Sequence, residues 1–132
     1  MAEEPSGMQI GKVTKRTGLS LRTIRYYEEI GLVVPSGRTK GGFRLYTEAD
    51  IERLLLVKAT RPLRLSLEDT RNMLAARDRM LAGGQDGEDR SQVASYLAFA
   101  ERRLAQARVD IQSAEHAIRL LHRDLRIDAQ HL

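Results

Sequence analysis

Residues 20–33 read SLRTIRYYEEIGLV. Ser20 is a favoured residue just outside a helix N-terminus, and Gly31 is the usual residue just past a C-terminus, so the stretch predicts a helix from Leu21 to about Ile30. Leu21, Ile24 and Tyr27 follow an i, i+3 spacing and form the stripe that turns inward. Arg22, Thr23, Arg25, Tyr26 and Glu29 are left on the other side. Two arginines and a tyrosine on an outward face are more than solvation of a packed helix requires. Upstream, Ile10–Thr17 reads as a second short helix, with Ile10 and Val13 one turn apart and Gly18 as its stop. Two short helices joined by a glycine-centred turn match a helix-turn-helix unit.

The charge of the chain points to the same segment. The net charge over 132 residues is only +4, but Gln9–Tyr46 carries eight Lys/Arg against two Glu, while Thr47 to the end carries fourteen against fourteen. The cationic excess therefore belongs to the helix-turn-helix and the segment running on to Tyr46. On charge alone, such a cluster is equally a solvated face or a surface for a polyanion. No apolar run, Leu54–Val57 included, comes near the roughly eighteen residues that span a bilayer. The opening MAEEPSG has neither a basic nor an apolar leader region, so the expectation is a cytosolic protein with no membrane association and a frayed tail at 1–8. The absence of cysteine excludes disulfides, thiolate metal sites and iron–sulfur ligation by these residues.

After the second helix, apolar Leu32–Val34, a turn-rich stretch and Phe43-Arg44-Leu45-Tyr46 read as a hairpin. Alternation would put Phe43 and Leu45 on one face and Arg44 and Tyr46 on the other, with Arg38 and Lys40 at the tip. GRTKGG (37–42) is not a phosphate loop, because the Gly-Lys-Ser/Thr order is missing and no helix comes directly after it. Thr47-Glu-Ala-Asp50 is a near match to a capping box and opens a helix to about Thr60, stopped by Pro62. Ser66-Leu-Glu-Asp69 opens another, to about Leu81. Residues 82–89, AGGQDGED, read as a linker.

From Val93 the pattern becomes strictly periodic. Val93, Leu97, Ala100, Leu104, Ala107, Ile111, Ala114, Ile118, Leu121 and Leu125 recur at alternating spacings of four and three, a heptad seam along 90–126 on a helix about 50 Å long. One seam position is Leu or Ile throughout, while the other holds alanine three times running. Large against small fills an antiparallel pair better than alanine stacked on alanine. Charge agrees: with the two-fold axis between Leu104 and Ala107, Glu101 meets Arg108 and Arg103 meets Asp110 of the second copy. A one-heptad slip sets like charges together. Leu97, Ala100, Leu104, Ala107, Ile111, Ala114 and Ile118 are thus the expected homodimer contacts, with a short C-terminal tail at 127–132.

Taken in order, IGKVTKRTGLSLRTIRYYEEIGLV, RTKGGFRLYTEADIERL and RPLRLSLEDTRNML resemble the MerR family of bacterial transcription regulators over about Met8–Leu74. The resemblance implies an all-α fold with a small β-hairpin wing: a winged helix-turn-helix domain at 9–81, followed by a long antiparallel coiled-coil helix. Where the family usually has Leu-Gly-Phe-Ser-Leu, this chain has Leu63-Arg64-Leu65-Ser66-Leu67. Arg64 in a left-handed backbone would cost roughly 1 kcal/mol.

In that setting the second helix enters a major groove and offers Arg22, Thr23 and Arg25 to base edges and phosphates, with arginine matched to guanine O6/N7. Tyr26 is placed to hydrogen-bond a phosphate, and Tyr27 to pack. Arg38, Lys40 and Arg44 of the wing have the charge and reach to hold backbone, and by resemblance Arg61 grips phosphate after the third helix. Adjacent Glu28 and Glu29 diverge on a helix, so they make no acid–base pair and are expected to solvate the helix or pair with neighbouring arginines. The resemblance further implies double-stranded DNA and RNA polymerase holoenzyme as partners, a nucleoid-associated location in the cytoplasm, and a promoter spacer that is bent and untwisted. No cofactor is expected. His116, His122 and His131 include no i, i+4 pair and give no metal site, and Tyr96 and Phe99 are expected to pack rather than to line an effector pocket. No nucleophile–base pair supports an enzyme. The competing reading is a coiled-coil adaptor whose basic segment meets an acidic protein partner.

Overall fold

A computed structural model describes residues 7–83 and 87–131. The expected tail up to residue 6, the middle of the expected linker at 84–86 and residue 132 lie outside the described residues. The order is α1 (Ile10–Thr17), α2 (Leu21–Glu29), β1 (Gly37–Arg38), β2 (Arg44–Leu45), α3 (Glu48–Thr60), a 3-10 turn (Arg61–Leu63), α4 (Leu67–Leu81) and α5 (Gly87–Gln130). The expected class, helices with a small hairpin and a long terminal helix, is the one observed. The chain divides near residue 84 into two compact units, the first holding α1 to α4 and the hairpin, the second α5.

Local signals set most helix ends. Ser20 Oγ accepts from Thr23 N and starts α2. At α3, Thr47 Oγ1 accepts from Asp50 N while Asp50 Oδ2 accepts from Thr47 N, a complete capping box despite Asp in place of Glu. Ser66 Oγ accepts from Asp69 N and starts α4. Between α1 and α2, Gly18 has φ 72° and donates its N–H to Thr14 O, and Lys58 of α3 reaches back to donate to Thr17 O at 2.8 Å. The α1 C-terminus therefore ends on an ammonium group, the charge its dipole favours. A methyl group on Gly18 would lie 2.8 Å from Lys58 Nζ in addition to the backbone strain.

The first unit closes around Val13, Leu19, Ile24, Tyr27, Val33, Tyr46, Ile51, Leu54, Val57 and Leu74. These positions are the inward stripes of α1, α2, α3 and α4 together with Leu19, Val33 and Tyr46, one from each of three connections. Burying mostly aliphatic side chains supplies the stability, at about 25 cal/mol per Å² of apolar area removed from water.

The hairpin departs from the sequence expectation in two respects. Leu32–Val34 is not its first strand: β1 is Gly37–Arg38, paired antiparallel with β2 so that Gly37 faces Leu45 and Arg38 faces Arg44. Phe43 and Leu45 do not share a buried face, since Phe43 is 62% exposed whereas Leu45 and Tyr46 are both buried. The reason is that β2 ends at Leu45. Tyr46 then leaves the ladder and makes an isolated antiparallel bridge to Met8, with Met8 N donating to Tyr46 O at 2.7 Å and Tyr46 N to Met8 O at 2.8 Å. Met8, assigned on sequence to the tail, is thereby fixed against the hairpin.

Arg64 keeps the left-handed backbone of the family's glycine although arginine resists it, at φ 55° and ψ 39°. It is the only described non-glycine residue with positive φ. Its N–H closes the 3-10 turn on Arg61 O at 3.1 Å.

Helix α5 runs 44 residues, about 66 Å. It starts at Gly87, inside the expected linker, and continues to Gln130, beyond the expected end at 126. Leu97, Leu104, Ile111, Ile118, Leu121 and Leu125 are all exposed on it, as are Val109 and Ile127 off the seam. Phe99 lies beneath the Arg103 guanidinium, 5.5 Å from ring centroid to Cζ. None of the helices among the described residues is long and apolar enough to cross a membrane.

Candidate nucleic-acid interface

Helix α2 positions the central group. With Ile24 and Tyr27 in the core, Arg22, Arg25 and Tyr26 are carried to the exposed side. Among the described residues, Arg22 and Arg25 have no carboxylate partner, so both guanidiniums keep their full set of donors. Thr23 is half-buried and engaged, its Oγ1 accepting from Ser20 Oγ at 2.9 Å. Of the four residues expected on this helix, three are therefore free to meet a ligand, while Thr23 helps to cap.

The wing is anchored by two carboxylates. At its base, Asp50 is 2% exposed and its Oδ2 accepts from Ser36 N at 3.2 Å and Ser36 Oγ at 2.7 Å in addition to the cap bond, while Oδ1 accepts from Arg53 Nη1 at 2.9 Å. Along its length, Glu28 at the end of α2 accepts from Arg38 Nη2 on Oε1 at 3.0 Å and from Arg44 Nε on Oε2. Arg38 also donates through Nη1 to Gly42 O at 3.0 Å, across the hairpin tip. A two-stranded ribbon of two-residue strands has little stability of its own, so these attachments fix where it stands. Arg38 and Arg44, expected to reach backbone, are thus a pair bridged by the Glu28 carboxylate. Lys40 at the tip is exposed and has no ion-pair partner among the described residues.

On the other side of α2, Arg61 Nη2 donates to Tyr27 Oη at 2.8 Å. The Tyr27 ring is buried, as expected of a packing residue, and its hydroxyl carries a second task that the apolar spacing gave no sign of. Consecutive residues Tyr27 and Glu28 thus hold the basic groups that flank the exposed face of α2: Arg61 after α3, and Arg38 with Arg44 on the wing. Beneath the wing, the Tyr46 hydroxyl is buried without a hydrogen-bond partner among the described residues. Burial first, and the Glu28 charge second, push its phenol above the ordinary value, so it remains protonated. Among the described residues no three His, Asp or Glu gather as a metal-binding group.

An exposed helix face with unpaired arginines, flanked by two further cationic groups held in place, is suited to a regular polyanion. Residues 8–77 match the family described as MerR HTH family regulatory protein. The chain is similar to heavy metal-dependent transcription regulator 2 of Rhizobium meliloti (strain 1021), 34% identical over 122 residues that cover 92% of this chain and 81% of that protein. It is also similar to the HTH-type transcriptional regulator ZntR of Escherichia coli (strain K12), 44% identical over 69 residues, 52% of this chain and 49% of that one. Among solved structures, the transcription regulator PbrR691 from Ralstonia metallidurans CH34 in complex with lead(II) matches with a TM-score of 0.54 at 31% identity, over 77% of this chain and 78% of that chain.

Proposed function

Because the chain belongs to the MerR HTH family of regulatory proteins, and is a DNA-binding transcriptional regulator rather than an enzyme, we propose that it works as a homodimer on a pseudo-palindromic promoter. Two copies pair antiparallel along α5 through Leu97, Ala100, Leu104, Ala107, Ile111, Ala114 and Ile118. Each winged helix-turn-helix domain, residues 9–81, then reads one half-site. Arg22 and Arg25 meet base edges and phosphates, and Tyr26, Arg38, Lys40, Arg44 and Arg61 hold backbone. Contacts on both half-sites bend and untwist the spacer so that RNA polymerase engages both promoter elements, in the nucleoid.

The observation that carries this reading is the exposed α2 face with Arg22 and Arg25 unpaired among the described residues. The seam supports the dimer: six large aliphatic side chains are exposed along one side of α5, a stripe that costs stability unless a like surface covers it. Heavy metals in the names of relatives do not transfer in their usual chemistry, since soft metals favour thiolates and this sequence has no cysteine. Footprinting on DNA upstream of the reading frame, followed by run-off transcription, tests the proposal. Protection of two half-sites flanking a hypersensitive spacer, with a changed transcript level, is the expected result. Uniform weak protection at low salt only would refute it.

A further inference from the structure

The hairpin register sets Arg38 directly opposite Arg44. Like charges at facing positions of a two-stranded ribbon repel, and a ribbon this short has nothing in its own ladder to offset that. The group lying against the pair is not solvent but Glu28, whose side chain is only 18% exposed and whose two oxygens are divided one to each guanidinium. The carboxylate comes from the last turn of α2, ten residues before Arg38 and sixteen before Arg44.

Each arginine commits little of its donor set to this contact. Arg44 uses Nε and keeps both terminal nitrogens, and Arg38 uses one hydrogen of each terminal nitrogen, toward Glu28 and Gly42 O. A planar guanidinium held through one edge presents its remaining N–H groups in a fixed direction. We infer that Glu28 is a positioning residue for DNA binding: it touches no DNA, but locks Arg38 and Arg44 to α2 so that wing and recognition helix meet the duplex as one preformed surface. The inference rests on the proposed reading of the wing as a backbone clamp.

The role has a signature that loss of folding lacks. Removing the Glu28 charge adds one positive charge beside the DNA face, which strengthens sequence-independent attraction, while the freed arginines must be ordered on binding to the specific site. Specific and non-specific affinity therefore move in opposite directions. The test uses the full chain, a duplex selected by the wild-type protein from a random pool and a scrambled duplex of equal length, titrated by fluorescence anisotropy at several salt concentrations. Glu28→Gln should lose about tenfold on the selected duplex, bind the scrambled duplex as well as or better than wild type, and melt within a few degrees of it. In an Arg38→Gln/Arg44→Gln background, adding Glu28→Gln should cause no further loss on the selected duplex. An unchanged affinity of Glu28→Gln for the selected duplex overturns the inference, as does an equal loss with both arginines already gone, or a parallel loss on both duplexes. If the arginine double variant binds the selected duplex like wild type, the wing clamp itself is wrong and the inference falls with it, by a result distinct from the others.

Discussion

Arg61 and Tyr27 lie 34 residues apart in sequence and meet through a 2.8 Å hydrogen bond from the Arg61 guanidinium to the Tyr27 phenol oxygen. The tyrosine thereby does two things at once: its ring fills the core and its hydroxyl aims a cation beside α2. Tyr27→Phe separates the two. The ring stays, so thermal stability should fall by only a few degrees, whereas DNA affinity should fall about threefold as Arg61 loses its support. Melting by circular dichroism and anisotropy titration check both halves, and a large loss of stability with unchanged affinity would contradict the assignment.

Asp50 accepts four hydrogen bonds, from Thr47 N, Ser36 N, Ser36 Oγ and Arg53 Nη1. Asp50→Ala deletes the cap, frees the wing base, leaves the Ser36 N–H without its acceptor and leaves Arg53 paired with Asp78 alone. A cost of about 3 kcal/mol is expected, a large part of the stability of a small domain. Urea unfolding of the full chain measures it. Thr47→Ala, which removes one cap bond, should cost only about 1 kcal/mol.

Arg64 holds a left-handed backbone without being glycine. Arg64→Gly should therefore stabilise the protein by about 0.5 kcal/mol, the relief of the side-chain clash less the greater freedom that glycine gives the unfolded chain. A rise in the urea midpoint with an unchanged slope is the expected outcome.

The pairing of α5 is testable without background, because the chain has no native cysteine. Mixing Leu104→Cys with Ala107→Cys should give a disulfide-linked dimer on mild oxidation, whereas Leu104→Cys alone should crosslink poorly. Dominant 104–104 linkage would mean a parallel pair. Ile111→Asp, at the seam beside the axis, should leave monomers at micromolar concentration by sedimentation, since an unpaired carboxylate cannot be buried there.

Arg16 and Glu48 pair on the surface through two bonds of 2.9 Å, joining α1 to the first turn of α3. The hydrogen bond from Arg16, ahead of its charge, holds the Glu48 carboxyl below its ordinary 4.5 despite partial desolvation. A carboxyl depressed in the folded state stabilises at neutral pH, and that contribution is lost as pH falls below 4.5 through the depressed value. The stability gap between wild type and Glu48→Gln should thus be level near neutral pH, narrow in acid, and shrink in high salt as exposed pairs do.

The helices of this protein were legible because their signals are local. Ser20, Thr47 and Ser66 start helices, Gly18 ends one, and i, i+3 stripes mark the faces that pack; all act over a few residues, where capping and periodicity dominate the energetics. The heptad seam of α5 is local in the same sense, whereas the left-handed turn at Arg64 is not, since arginine resists that backbone. The wing was not legible to that depth. Strands of two residues are too short for alternation to mark them, so β1 fell at Gly37–Arg38 rather than at Leu32–Val34, and Tyr46 went inward by pairing with Met8. Which cations stay free and which are held was decided only in three dimensions. Glu28 reaches Arg38 and Arg44, and Tyr27 reaches Arg61, across gaps of ten to thirty-four residues. No pattern along the chain encodes contacts that exist only once the core has closed and brought those groups within hydrogen-bond distance.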